Sequence, residues 1–183
     1  MLEPWLRGTL TEVDAVRRQV LHALELASED AERWCAPLSD EEMTEKPFGA
    51  ASVCFHLRHI ARSLDRLLTY AEARQLSVDQ LSALAAELDR DATTAEVMRE
   101  FRLGMEHAAV RVRAFDPASY EEKRGVGRQR LPTTVGGLLI HCAEHTQRHI
   151  GQAITTAQIV AGVPKSVARE TGYNKRKATA TAS

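Results

Sequence analysis

Aromatic side chains are scarce in this chain, at 5% of 183 residues, while Ala, Leu, Glu and Arg are abundant. That balance favours helices. Cysteine is scarce too: Cys35, Cys54 and Cys142 are odd in number, widely scattered and never spaced C-x-x-C. The pattern excludes a zinc ribbon and a thioredoxin-type pair, and it fits a reducing compartment. Neither charge dominates, with 24 basic against 25 acidic residues, which speaks against a nucleic-acid partner. No apolar run of about 18 residues exists to span a membrane. The opening M-L-E-P-W-L-R-G lacks the apolar core of a signal peptide. The expectation is a cytoplasmic protein with one domain over 1–163, no membrane or nucleic-acid partner, and a polar tail over 164–183.

What the chain does contain is apolar periodicity of the helical kind. Leu10, Val13, Val16, Val20, Leu24 and Ala27 form a stripe that predicts a helix from about Thr9 to Cys35, with Thr9 or Thr11 as its cap and Glu12 in capping-box spacing. Residues 36–50 hold two prolines and a glycine and read as a connection with one short helical turn. Val53, Leu57, Ile60, Leu64, Leu68 and Ala71 predict a second helix over Ser52–Arg74. The segment V-D-Q-L-S-A-L-A-A-E-L predicts a short extra helix. Thr93 or Thr94 caps a third long helix reaching Phe115. Residues 116–132 lack period and read as a long loop, and no strand pattern is evident anywhere. The fourth helix follows Pro132-Thr133-Thr134 and ends near Val160, ahead of Gly162 and Pro164. The fold expected is all-α, a four-helix bundle with a short helix between the second and third long ones.

Residues 141–152 read H-C-A-E-H-T-Q-R-H-I-G-Q. Histidines at 141, 145 and 149 stack on successive turns of a helix. With Leu138 at zero on the wheel, His145 falls at about −20° and His149 at about +20°, inside the apolar stripe, while His141 lies at about −60° on its edge and Glu144 at about −120° faces away. Two buried imidazoles on adjacent turns need partners, and a metal ion satisfies both. Gln152, at about −40°, is placed to hydrogen-bond a ligand nitrogen. On the second helix His56 and His59 supply further donors, and periodicity alone favours His56. Cys142 reads as a small buried filler, and His22 and His107 as surface or packing residues. No Glu-x-x-His di-iron motif and no H-E-x-x-H zincin motif is present.

These residues resemble the DinB-like superfamily of four-helix bundles. Its recurring pattern is a histidine within the second helix and a His-x-x-x-His pair in the last, often followed by Arg-Gly-Gln. Here His145 and His149 match the pair and Gly151-Gln152 follow, with Ile150 in place of the arginine. Ser52, Val53, His59, Ile60 and Ala61 match the second-helix pattern, so the resemblance selects His59 against the wheel. Arg62 stands where several relatives carry an acidic residue. The resemblance implies a divalent metal, zinc or nickel, on His59, His145 and His149, and a homodimer. It also implies a small-molecule substrate and a low-molecular-weight thiol as co-substrate.

Two functions stay open. One is a metal-dependent enzyme, a thiol S-transferase or a hydrolase. The other is a non-catalytic metal- or small-ligand-binding protein of a stress response. No general base is recognisable. Tyr70 and the loop arginines Arg128 and Arg130 are candidates for proton donation and for binding an anionic thiol, against the plainer readings of a core tyrosine and solvated loop charges. His56 and His141 stay open as a fourth ligand.

Overall fold

A computed structural model describes residues 2–85 and 92–162 of the chain. In chain order the elements are α1 (Ala15–Trp34), α2 (Asp40–Thr44), α3 (Val53–Ala71), α4 (Val78–Ala85), α5 (Thr94–Ala114), β1 (Lys123–Val126), β2 (Leu131–Thr134) and α6 (Val135–Gly162). The expected tail, and the end of the expected short helix beyond Ala85, lie outside the described residues.

The four long helices form the bundle. Helix α3 packs against α5 on one side and α6 on the other, and α1 closes against α6 and α5. The apolar stripes meet in a shared core that includes Leu24, Leu57, Leu64, Phe101 and Leu139, all at most 2% exposed. Contacts between Ala51 and Thr156, His56 and His149, and His59 and His145 show that α3 and α6 run antiparallel. No helix among the described residues is long and apolar enough to cross a membrane.

Caps explain most of the boundaries. Ser52 accepts from Phe55 N to start α3, and Thr93 with Glu96 forms a capping box on α5. A second capping box, Ser39 with Glu42, makes the turn expected within 36–50 into α2. Helix α1 starts later than its periodicity predicts. Asp14, not Thr9 or Thr11, is the cap, accepting from Val16 N and Arg17 N. Leu10 has φ 57°, a left-handed conformation that stops a helix running through it. Thr9 instead contacts His22 Nε2 at 3.2 Å.

Residues 116–132 also correct the expectation of a structureless loop. Strands β1 and β2 pair antiparallel, with Lys123 opposite Thr134 and Val126 opposite Leu131. Gly127 and Arg130 turn the chain at φ 70° and 50°. Strands of four residues are too short to display alternation, and Pro132 is tolerated because a two-stranded ribbon is all edge. The hairpin braces the ends of two helices. Arg124 Nε donates to Ala71 O at the end of α3, while Val135 N and Gly136 N donate to Glu122 O and Tyr120 O at the start of α6.

Candidate metal centre

Helix α6 is apolar toward the core except at its middle. Leu139, Cys142, Ile150, Ala153 and Ala157 are at most 2% exposed. Between Cys142 and Ile150 the inward positions hold His145, Thr146 and His149. The two histidines are half-buried rather than in the centre of the stripe. The fully buried positions centre about 60° round the helix from them. They therefore sit on the flank of the core that faces α3. The wheel had placed them inside the stripe because it took Leu138 as its axis, and Leu138 is itself near the stripe's edge.

Helix α3 answers with His56 and His59, one turn apart. His59 Nε2 lies 3.2 Å from His145 Nε2. The ring of His149 stands 4.5 Å from that of His59 and 4.6 Å from that of His145, centroid to centroid. One donor atom from each of His59, His145 and His149 can be chosen so that all lie within 4.8 Å of one another. Two nitrogens each about 2.1 Å from a shared ion, at an angle of about 100°, would be about 3.2 Å apart. The His59–His145 pair is thus spaced as two ligands of one ion would be.

Protonation is suitable as well. Burial, helped by the neighbouring His149 and His59, holds His145 down at about 4. Burial and the same two neighbours hold His56 at about 4. Both are neutral imidazoles at physiological pH, the form that ligates metals. The buried Nδ1 of His145 has no hydrogen-bond partner, and neither does the buried hydroxyl of Thr146. Among the described residues these two atoms are exceptions to the rule that buried polar groups are paired. A donor set of three imidazoles fits a borderline or soft divalent ion.

A family model described as the DinB superfamily matches residues 23–153. The chain belongs to the DinB superfamily. No curated protein and no solved structure matches it significantly. The match spans all four long helices at least in part, and it includes every histidine of the cluster.

Within this DinB-superfamily chain the remaining sequence candidates separate cleanly. His56 is 6% exposed, as its place on the wheel suggests, and its Nδ1 lies 3.1 Å from His149 Nδ1. It is outside the set of mutually close donors. His141 is half-buried and pairs with Glu144 at 3.4 Å, while Glu144 faces solvent and also pairs with Arg148. Gln152 is exposed, so the expected hydrogen bond to a ligand is not made. The expectation failed because a residue at the edge of the stripe on a wheel can still clear the neighbouring helix. Tyr70 stands eleven residues beyond His59, about 16 Å along α3. Arg128 and Arg130 are exposed in the hairpin turn, at the opposite end of α6's first turns from the cluster. Cys142 is fully buried, and burial pushes its thiol up to about 12, so it is inert filler. His22 is a satisfied packing residue and His107 is exposed.

Two neighbours of His59 escaped the sequence reading. Phe55 stacks on its ring at 5.3 Å and 14°, and the Ser63 hydroxyl lies 3.4 Å from its Nε2. Ser63 is 5% exposed and accepts from Arg66. Both stand four residues from His59, the spacing at which helical side chains meet, so the signal was present.

Proposed function

We propose that this protein is a metal-dependent enzyme that transfers a low-molecular-weight thiol to an electrophilic small molecule. His59, His145 and His149 would hold the ion, zinc or nickel. The observation that carries the reading is the convergence of three half-buried imidazoles from two helices. A divalent ion bound there would supply Lewis acidity, which favours the thiolate form of a thiol at neutral pH. The chain's own residues hold and shield. Phe55 fixes the plane of His59, and Leu57 and Ile60, both fully buried, pack the core beneath the site. The ligand set is electrically neutral, so the ion's charge is left to attract an anionic co-substrate. The family resemblance supports a homodimer, and three free, buried cysteines fit a reducing cytoplasm.

A binding protein without turnover is the second reading. It is favoured by one observation: among the described residues no carboxylate belongs to the cluster, and Glu144 and Tyr70 both lie away from it. Elemental analysis of untagged protein tests the site itself. About one metal per chain is expected in the native protein, with a loss in His59→Ala, His145→Ala and His149→Ala and none in His107→Ala. Equal metal in all variants would dismiss the site. Turnover of an electrophile with candidate thiols by the loaded protein, absent after chelation, then separates enzyme from binder.

A further inference from the structure

His56 is not explained by the ligand triad. It occupies an inward position on α3, one turn from Val53 and Ile60 on the buried stripe, where an aliphatic residue would serve packing equally well. A buried imidazole there costs desolvation unless its nitrogens are used. The structure shows the use. His56 Nδ1 faces His149 Nδ1 at 3.1 Å, and Phe55 meets the His56 ring edge-on at 5.4 Å, which limits its rotation. A contact between two neutral Nδ1 atoms is a hydrogen bond only if one carries the proton and the other accepts it.

The geometry points to His56 as the positioning residue of His149, an inference that rests on the metal reading above. His149 donates its Nδ1–H to His56 Nδ1. In that tautomer the lone pair of His149 is at Nε2, the nitrogen that would ligate. A ligating histidine nearly always donates its other N–H to an acceptor that fixes tautomer and ring angle. Here the acceptor is an imidazole instead of the usual carboxylate or carbonyl. Because a neutral acceptor adds no negative charge behind the ligand, the ion keeps more of its charge for what binds in front. Helix α3 thus delivers two histidines with different tasks: His59 in the triad and, one turn earlier, His56 behind the partner helix's ligand.

The test compares His56→Leu, which fills the space but cannot accept, with His56→Asn, whose side-chain oxygen can accept near the position of Nδ1. Zinc is titrated into each against a chromophoric chelator, and cobalt is used to read the coordination sphere by its visible absorption. The expected result is one zinc per chain in all three proteins. Affinity should be roughly 10–100-fold weaker in His56→Leu and largely restored in His56→Asn. The cobalt band should be unchanged between native and His56→Asn. Native affinity in His56→Leu, or an Asn variant as weak as the Leu variant, would overturn the inference. A cobalt band that changes in position or intensity in His56→Asn would make His56 a ligand and overturn it too. Zinc retained by His145→Ala/His149→Ala would be a different failure, removing the triad and this inference together.

Discussion

Helix α3 has two principal neighbours and meets them in opposite ways. Toward α5 the surfaces close carbon on carbon. A Cβ placed on Gly104 would stand 2.6 Å from Ala61 Cβ and 3.0 Å from its Cα, so the two backbones approach as closely as they can. Along the rim of that seam Glu100 accepts from Arg58 and Arg62, and Arg111 donates to Asp65, Glu72 and Thr69, while the Thr94 hydroxyl at the start of α5 is buried without a partner among the described residues. Toward α6 the middle of the seam is imidazole on imidazole, and His145 Nδ1 and the Thr146 hydroxyl are buried without partners among the described residues. One seam is arranged for stability. The other gathers four imidazoles in its middle, an arrangement that a bound ion would make use of.

The sharpest way to break this contrast is to supply such an ion. Zinc at a hundred times its Kd should raise the unfolding free energy of the native protein by about 2.7 kcal/mol, because it binds only the folded seam. Thermal or urea unfolding with and without zinc measures it. In His145→Leu/His149→Leu the gain should vanish. A gain that survives in the double variant would mean that the histidines are not what the ion stabilises, and the difference between the seams would lose its explanation.

The second effect belongs to the α5 side. Gly104→Ala should lose about 1–2 kcal/mol, the overpacking of the α3–α5 crossing outweighing the better helix propensity of alanine. Ala61→Gly in the same chain should recover part of the loss, because it removes the Cβ that the new methyl meets. Zinc bound per folded chain should stay at the native level. If Gly104→Ala proves more stable than native in urea titration, the seam is looser than carbon-on-carbon contact.

The contrast also explains what could be read from the sequence. Stripes such as Val53-Leu57-Ile60-Leu64 and the Thr93–Glu96 capping pair are local and periodic, and both are observed. Thr9–Glu12 offers the same capping signature, yet Asp14 wins because it also accepts from Arg17 and the distant Tyr120, a tertiary contact no local pattern records. The hairpin escaped because its strands are too short to show alternation. At the site, the i, i+4 spacing of His145 and His149 placed them on one face, and the structure moves that face to the flank beside α3. Periodicity favoured His56 and the family pattern favoured His59. Both residues are engaged, because the wheel reports burial and the pattern reports which ring joins the triad. That His56 meets His149 depends on the register between two antiparallel helices, which neither sequence segment contains alone.

The smallest effect lies on the rim of the α5 seam and is read through pH. Burial alone would raise the Glu72 carboxyl, but hydrogen bonds from Arg111 and Arg74 outweigh it and hold the group below its ordinary value. A carboxylate depressed in the folded state contributes stability that is present above its unfolded pKa, about 4.3, and is lost as pH falls from there through the folded value. Glu72→Gln should therefore cost about 1 kcal/mol or less at neutral pH, since the pair is partly exposed, and the cost should shrink below about pH 4. Urea unfolding of both proteins at pH 7 and near pH 3 measures the change. Equal losses at both pH values would show that Glu72 contributes through packing rather than charge. The paired rim would then no longer be electrostatic in origin, and the α5 seam would rest on the Gly104–Ala61 contact and its apolar core.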